Sequence, residues 1–244
     1  MDLIEFLNKA SINTKIEIAF DEATPLEILQ LLMTDSHIDV RTQVAGNVST
    51  TPEMLAMLAT DEQPFVRNAV AENQNTPPEV LAILASDKCV DVLQCVALNP
   101  YTPAETLRKL VSQYELQENI AMNIAAPPDV LRELARSEFY DVRVLVATHK
   151  ETPPDVLEEL MKEEGLEEYV AYNSSVPVEL LEVLATSKNR NTRMEVARNP
   201  NTPVEILKKF AKDRNSIVRR ALAVNPSTPL EISTRLNKEF NLDE

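Results

Sequence analysis

Glycine is nearly absent from this sequence of 244 residues, which contains only Gly46 and Gly165 and has no tryptophan. A P-loop and a dinucleotide-binding fingerprint each need several closely spaced glycines, because the backbone must approach phosphate closely. The serine elbow of α/β-hydrolases needs a glycine on each side of the nucleophile, which this sequence cannot supply. These three kinds of site are therefore excluded.

Basic residues are also scarce. Lysine and arginine total 24 against 39 aspartates and glutamates, giving a net charge of −15. Such a balance disfavours general binding to nucleic acid or anionic membranes, which need a cationic face. The first residues are acidic, unlike the basic start of a signal peptide, and no apolar run reaches the roughly 18 residues of a membrane span. Two cysteines without an export signal indicate reduced, buried thiols. We therefore expect a cytoplasmic protein that does not associate with membranes.

An internal repeat fills the chain. The acidic residue of a Pro-x-Glu-x-Leu segment recurs every 26 or 24 residues. It occupies nine positions, which are Glu27, Glu53, Glu79, Glu105, Asp129, Asp155, Glu179, Glu205 and Glu231. The register extends backward, so residues 1–13 are expected to form a half-repeat and residues from about 226 to 244 a C-terminal capping repeat.

Each repeat predicts two short helices. In the first, Thr202 is expected at the N-cap, Pro203 at the first helical position and Glu205 at the third, as in a capping box. The threonine is replaced twice, by Ala126 and Val176. Because this placement explains the recurrent carboxylates, they need no catalytic role.

The second helix carries Val-Arg-x-x-Val-Ala, and its alanine is present in all nine repeats. A side chain that stays this small predicts the closest approach between neighbouring helices. Two residues later an asparagine usually follows, which suits a helix end because it tolerates left-handed backbone and bonds locally. Stacked repeats would align these amides into a ladder.

Alternating β-branched runs are absent, so strands are not predicted. One repeat cannot bury its apolar stripe alone, but a stack of repeats can. The sequence therefore predicts an all-α solenoid of about nine two-helix repeats of 24–26 residues, forming a single elongated domain over residues 1–244.

This unit resembles the leucine-rich repeat variant family, whose consensus is similar to residues 66–87 and 218–236. The resemblance implies a right-handed α/α superhelix in which α-helices alternate with short helices that can be 3₁₀. The family's founding architecture also has an iron–sulfur module built from clustered cysteines, which this sequence does not match. The resemblance implies no common activity, and no cofactor is expected.

Other residues with chemical potential have simpler interpretations. His37 and His149 lie more than four repeats apart, which argues against a shared metal site. Cys95 aligns with small core residues and is not expected to be a nucleophile. The arginine series of the second helix is expected to pair with Asp35, Asp61, Asp87 or Asp213, with a basic ladder for an anionic partner as the alternative. We therefore predict no catalytic, cofactor-binding or metal-binding residue.

Two departures from the repeat indicate interaction sites. Residues 155–168 carry a net charge of −6, whereas residues 188–220 carry +7 and could form an anion-binding end through Lys208, Lys209, Lys212 and Arg214. An ordinary solvated face is the alternative. An apolar strip at one edge of the first helices is formed by Leu31, Met57 and Ile83, either as core packing or as a partner or dimer surface.

The third departure is a pair of 24-residue repeats that lose their length, arginine and cap threonine together. A local packing variant is the simpler interpretation. Tyr169 and Tyr172 of the second of these repeats, with Met122 of the first, are the alternative candidates for a recognition surface.

The sequence therefore predicts a non-enzymatic scaffold that binds another protein and has the strip at Leu31, Met57 and Ile83 available for self-association. The alternative is a nucleic-acid-binding protein, similar to the HEAT-like DNA glycosylases, that uses the basic region 188–220.

Overall fold

The computed structural model describes residues 3–242, and all regular secondary structure in that range is helical. The fold class is the predicted all-α helical repeat. The chain divides into two compact units, the first ending at Ala126 and the second beginning at Pro127. The predicted single domain of residues 1–244 stays a prediction, and each unit is described by itself.

The first unit contains ten α-helices and one 3₁₀ turn within its described residues. They are α1 (Leu3–Lys9), α2 (Ile12–Phe20), α3 (Leu26–Leu32), α4 (Ile38–Gly46), α5 (Pro52–Leu58), α6 (Pro64–Glu72), α7 (Pro78–Leu84), α8 (Val90–Leu98), α9 (Ala104–Leu110), the 3₁₀ turn Tyr114–Leu116 and α10 (Gln117–Met122). The predicted half-repeat thus contributes α1, while residues 1 and 2 lie outside the described range.

The second unit contains nine α-helices up to residue 242. They are α11 (Pro128–Leu134), α12 (Tyr140–Thr148), α13 (Pro154–Leu160), α14 (Glu167–Tyr172), α15 (Val178–Leu184), α16 (Arg190–Arg198), α17 (Val204–Phe210), α18 (Ser216–Ala223) and α19 (Leu230–Phe240). Helix α19 lies in the predicted capping repeat, whose residues 243 and 244 are not described.

In each unit the helices form two layers. The second helices of successive repeats pack side by side, as α2, α4, α6, α8 and α10 do in the first unit and α12, α14, α16 and α18 in the second. The seven-residue first helices pack against this long-helix layer. Leu29, Leu55, Leu81 and Leu107 are fully buried between the two layers, as the leucine periodicity predicts.

The predicted capping box is wrong. Helix α17 begins at Val204, its N-cap is Pro203, and no side chain caps it. The Thr202 hydroxyl lies one residue earlier and donates at 2.5 Å to the carbonyl of Val196, in the last turn of the preceding helix. The same bond recurs for the other six threonines of the series. The threonine therefore closes the end of one helix rather than opening the next.

The asparagine ladder is confirmed inside each unit. Asn73 Nδ2 donates to the carbonyls of Ala45 and Asn47 in the preceding repeat, at 2.8 and 3.0 Å, and its Oδ1 accepts from the N–H of Asn75. Equivalent bonds are made by Asn47, Asn99, Asn123, Asn173, Asn199 and Asn225. The backbone of Asn73 is extended, with φ of −68°, so left-handed conformation is not the reason for asparagine here.

Internal ion pairing of the arginine series is also confirmed. Arg67 forms a two-pronged pair with Asp87, twenty residues later, at 2.6 and 2.9 Å, while its third nitrogen donates to the carbonyl of Asp61. Arg41 and Arg193 pair in the same way with Asp61 and Asp213, and Lys15 pairs with Asp35. Arg143 and Arg219 pair with acids outside the predicted set, Glu163 and Glu239. A basic ladder facing a partner is therefore wrong for these residues.

Truncation of a core leucine should be far more costly than truncation of its neighbour on the surface. Leu81 is fully buried, whereas Ile83, two residues later on the same helix, is 65% exposed. Leu81→Ala should lower the free energy of unfolding by about 2–5 kcal/mol, because it leaves a cavity. Ile83→Ala should change it by less than about 0.5 kcal/mol in the same urea titration. Similar losses for both would contradict the packing.

The ladder amide should be sensitive to a nearly isosteric change. Asn73→Asp removes the donor that serves two buried carbonyls and adds a buried charge, so we expect a loss of about 2–3 kcal/mol or more. The control is Asn75→Asp, because Asn75 donates only one exposed bond, to the carbonyl of Val48. Urea unfolding near neutral pH compares the two, and equal losses would contradict the ladder's structural role.

Candidate functional site

The apolar strip lies on the surface of the first unit. Leu31, Met57 and Ile83, on helices α3, α5 and α7, are 39%, 56% and 65% exposed, so core packing is the wrong alternative. Val183 holds the same repeat position in the second unit and is 54% exposed. The sequence interpretation missed it, although its apolar character four residues after Glu179 was the available signal.

Four of the ten cations in the basic region 188–220 pair with acids of this chain, and one of the four is Arg198, which pairs with Glu195. Arg193 and Arg219 belong to the internal pairs, and Lys208 meets Glu205 at 2.8 Å. Three exposed cations of the predicted anion-binding end form no ion pair with described residues. They are Lys209, Lys212 and Arg214. Lys188, Arg190 and Arg220 are likewise exposed and unpaired within the described residues, so six of the ten cations of this region remain outside ion pairs.

The tyrosines of the second 24-residue repeat lie together in a groove. Tyr169 and Tyr172 of α14 line a space of about 390 Å³ with Thr148 of α12 and with Met194 and Glu195 of α16. Glu168 and Asn191 complete the lining. We call this space the tyrosine groove. An adjoining cavity of about 480 Å³ shares Thr148, Tyr172 and Glu195 with it and also includes Arg198.

Helix α14, which carries the two tyrosines, is shorter than its neighbours. Helices α12 and α16 have nine residues each, whereas α14 has six and lacks their first turn. A tight turn containing Gly165, with φ of +91°, replaces it. Tyr140 Oη donates to the Gly165 carbonyl at 3.1 Å. A Cβ on Gly165 would lie 3.0 Å from Tyr140 Oη. The positive φ is therefore the reason for glycine here, and a Cβ would also require the Tyr140 hydroxyl to shift.

A partly buried acid gives the tyrosine groove its charge. The Glu195 side chain is 15% exposed, and its carboxylate lies 3.0 Å from the guanidinium of Arg198, which is 52% exposed. Burial raises the pKa of Glu195, the nearby Arg198 lowers it, and the neighbouring Glu168 raises it. The net shift is upward, so the charged form of Glu195 is held at a cost to the folded state.

The first unit has a groove that the sequence interpretation missed. Phe20 at the end of α2 and Val48 after α4 line about 480 Å³, together with Gly46 and the acidic pair Asp21 and Glu22. Phe20 and Val48 are 72% and 57% exposed, and a Cβ on Gly46 would meet nothing within 4 Å. We call this space the Phe20 groove. Its floor is open because Gly46 has no side chain.

Both grooves use the position immediately after the invariant alanine of the long helix. No two of its nine residues are alike, and they are Phe20, Gly46, Glu72, Leu98, Met122, Thr148, Tyr172, Arg198 and Val224. All are exposed except Thr148, which is half-buried. Complete variability beside an invariant residue was therefore the sequence signal that could have located both grooves.

Comparison of the whole chain with solved structures identifies a similar fold. A structure described as a leucine-rich repeat variant with a novel repetitive structural motif matches with a TM-score of 0.55 and 24% sequence identity, covering 82% of this chain and 81% of that one. The protein has the leucine-rich repeat variant fold. This agrees with the resemblance seen in the repeat consensus.

Two other solved structures are similar at lower scores. An engineered protein matches with a TM-score of 0.36 and the Escherichia coli protein YibA with 0.38, each at 14% identity. The alignments cover 99% and 97% of this chain and 92% and 93% of theirs. No family model and no curated protein matches the sequence.

The remaining residues with chemical potential have local roles in this leucine-rich repeat variant fold. Nδ1 of His37 accepts from the N–H of Asp39, and Nδ1 of His149 accepts from that of Glu151. Cys95 is half-buried rather than a core residue. Burial and a contact to Glu72 at 3.3 Å raise its pKa to about 12, which keeps the thiol protonated.

No group of three or more metal-ligating side chains occurs among the described residues. Within the same range, every helix is too short or too polar to cross a bilayer.

Removal of the Glu195 charge should stabilise the protein. An acid with a raised pKa holds its proton longer in the folded state, so stability falls as pH rises from the ordinary value of 4.5 through the raised one. Glu195→Gln should therefore unfold at higher urea concentration than wild type near neutral pH. The advantage should shrink as the pH falls toward 4.5.

Glu182→Gln is the matched control, because Glu182 is exposed on α15 and should change little. A Glu195→Gln protein that is less stable than wild type at neutral pH would contradict the cost assigned to this charge.

Proposed function

We propose that this protein is a non-enzymatic scaffold that binds another protein through the exposed side of its long-helix layer. The proposal rests on the contrast between two neighbouring positions of the long helix, the constant alanine and the variable residue that follows it. The alanine is buried in every repeat, whereas the residue after it differs in every repeat and is exposed in eight of the nine. A constant frame that presents variable side chains is the usual design of helical-repeat binding proteins.

The polar side chains that recur in the repeats are bonded within the protein itself, which supports this function. Asparagine, threonine and arginine side chains of the repeat bond to backbone or to neighbouring acids, as Asn73, Thr202 and Arg67 illustrate. These groups are therefore occupied in holding the repeats together. Their recurrence needs no ligand or reaction to explain it.

Large apolar side chains on the long-helix layer favour a protein partner. In the first unit Phe20, Leu98 and Met122 occupy the variable position and are 72%, 41% and 52% exposed. Ile124, just beyond α10, is 70% exposed. Apolar and aromatic anchors of this kind contribute most of the binding energy at protein interfaces.

The alternative of nucleic-acid binding has less support. Phosphate contacts use free cations, and four of the ten cations in residues 188–220 are engaged with acids of this chain. The net charge of −15 also repels phosphate. Recovery of the partner with and without nuclease treatment therefore distinguishes protein binding from nucleic-acid binding.

The test is affinity purification of the full chain from its source organism, followed by quantitative mass spectrometry. Phe20→Ser combined with Leu98→Ser should reduce recovery of the partner protein by at least about tenfold, which corresponds to 1.4 kcal/mol. Thermal unfolding should remain close to wild type, because both residues are exposed. Nuclease treatment should leave the partner bound.

The matched variant is Met57→Ser combined with Ile83→Ser, which alters the short-helix strip instead. We propose that this strip serves self-association, so this variant should change the sedimentation behaviour of the protein and retain the partner. Recovery of nucleic acid alone, or of the same proteins with both double variants, would contradict the proposed function.

A further inference from the structure

We propose that the tyrosine groove binds an arginine side chain of the partner protein, which stacks on Tyr169 and Tyr172 and pairs with Glu195. This inference rests on the proposed protein-binding function and specifies the chemistry that one part of the surface recognises.

The shape and lining of the groove suit a guanidinium group. Its volume of about 390 Å³ lies between three helices of the second unit, and its walls are two tyrosines and Met194. Aromatic faces attract cations, and the planar guanidinium can also stack on them. Tyr172 is 64% exposed, so its ring is accessible without rearrangement.

The charges of the groove select a cation. Glu168 and Glu195 both line it, and Glu195 is mostly buried. The charged groups around Glu195 are Glu168 on α14 and Arg198 on its own helix. With one cation against two acids, the groove keeps a net negative charge at neutral pH.

Arg198 demonstrates that Glu195 accepts a guanidinium. Its Nη1 meets Glu195 Oε1 at 3.0 Å, yet the Arg198 side chain remains 52% exposed. Because the Arg198 half of the pair is exposed to solvent, an incoming arginine can take its place on the carboxylate without displacing a buried side chain. Arg198 thus competes with the partner for the same carboxylate.

The other 24-residue repeat provides a natural comparison. Helix α10 also has six residues, but it carries Asn119 and Met122 where α14 carries Tyr169 and Tyr172. Shortening of the helix is therefore shared, whereas the aromatic lining is specific to the second unit. Substitution of the tyrosines by the α10 residues removes that lining with side chains that this fold already accepts.

The experiment is NMR titration of the full chain labelled with ¹³C in the tyrosine rings. The protein has five tyrosines and no tryptophan, so the ring signals are few, and Tyr169→Asn and Tyr172→Met assign two of them. The probes are the blocked tripeptides Gly-Arg-Gly, Gly-Lys-Gly and Gly-Gln-Gly. The arginine peptide should shift the Tyr169 and Tyr172 signals selectively, the lysine peptide should bind more weakly, and the glutamine peptide should cause no shift.

Two charge variants should change the affinity for Gly-Arg-Gly in opposite directions. Glu195→Gln should weaken binding by at least about tenfold, which is 1.4 kcal/mol, because the carboxylate is lost. Arg198→Gln should tighten binding several-fold, because the internal competitor is removed. Loss of fold would weaken binding in both, so the opposite signs distinguish recognition from structural damage.

Several results would overturn the proposal. Equal shifts with the glutamine peptide would indicate apolar contact only, and shifts at all five tyrosines would indicate non-specific attraction to an acidic protein. Weaker binding by Arg198→Gln would contradict competition for Glu195. If these results occur while the Phe20 and Leu98 variant still loses its partner, only the arginine site fails and the proposed function stands.

Discussion

The asparagine side-chain amide is the interaction on which the rest of this structure depends. Each one joins the end of its own helix to two carbonyls of the preceding repeat, and the amide of Asn99 therefore reaches Ala71 and Asn73 while its own carbonyl receives Asn123. This chain of bonds requires the long helices to end at the same level. It also requires the alanine, because a larger side chain there would separate the neighbouring helices.

A frame built in this way leaves little of its own chemistry for function. The carbonyls, hydroxyls and guanidinium groups that recur in the repeat are engaged with one another, and burial keeps the Cys95 pKa high enough to hold its proton. Function therefore depends on the positions that the ladder does not constrain. The residue after the alanine is such a position, because it follows the buried layer directly and points outward.

The repeat that contains α14 departs from the frame in its ion pair as well as in its length. This repeat has Glu167 in place of the arginine, and Glu167 bonds to Ser187 twenty residues later, where six of the other eight repeats have an acid. In this repeat a hydrogen bond between Glu167 and Ser187 therefore takes the place of the arginine–acid ion pair, and both residues of the pair differ. The tyrosines of α14 line the groove with α12 and α16, and burial raises the pKa of Glu195 there, so its charged form is held at a cost.

The sequence by itself determined the helical repeat, its period, the buried leucine and alanine series and the internal partners of the arginines. These features depend on residues at fixed spacing within a repeat or between adjacent repeats, which a periodic pattern states directly. Tertiary structure decided the rest. It assigned Thr202 to the end of the preceding helix, exposed Leu31, Met57 and Ile83, and brought Tyr169, Tyr172 and Glu195 into one groove. Those three features depend on how stacked helices align in space. If a helix begins one residue earlier or later, the contacts of its side chains change, although the repeat pattern in the sequence stays the same.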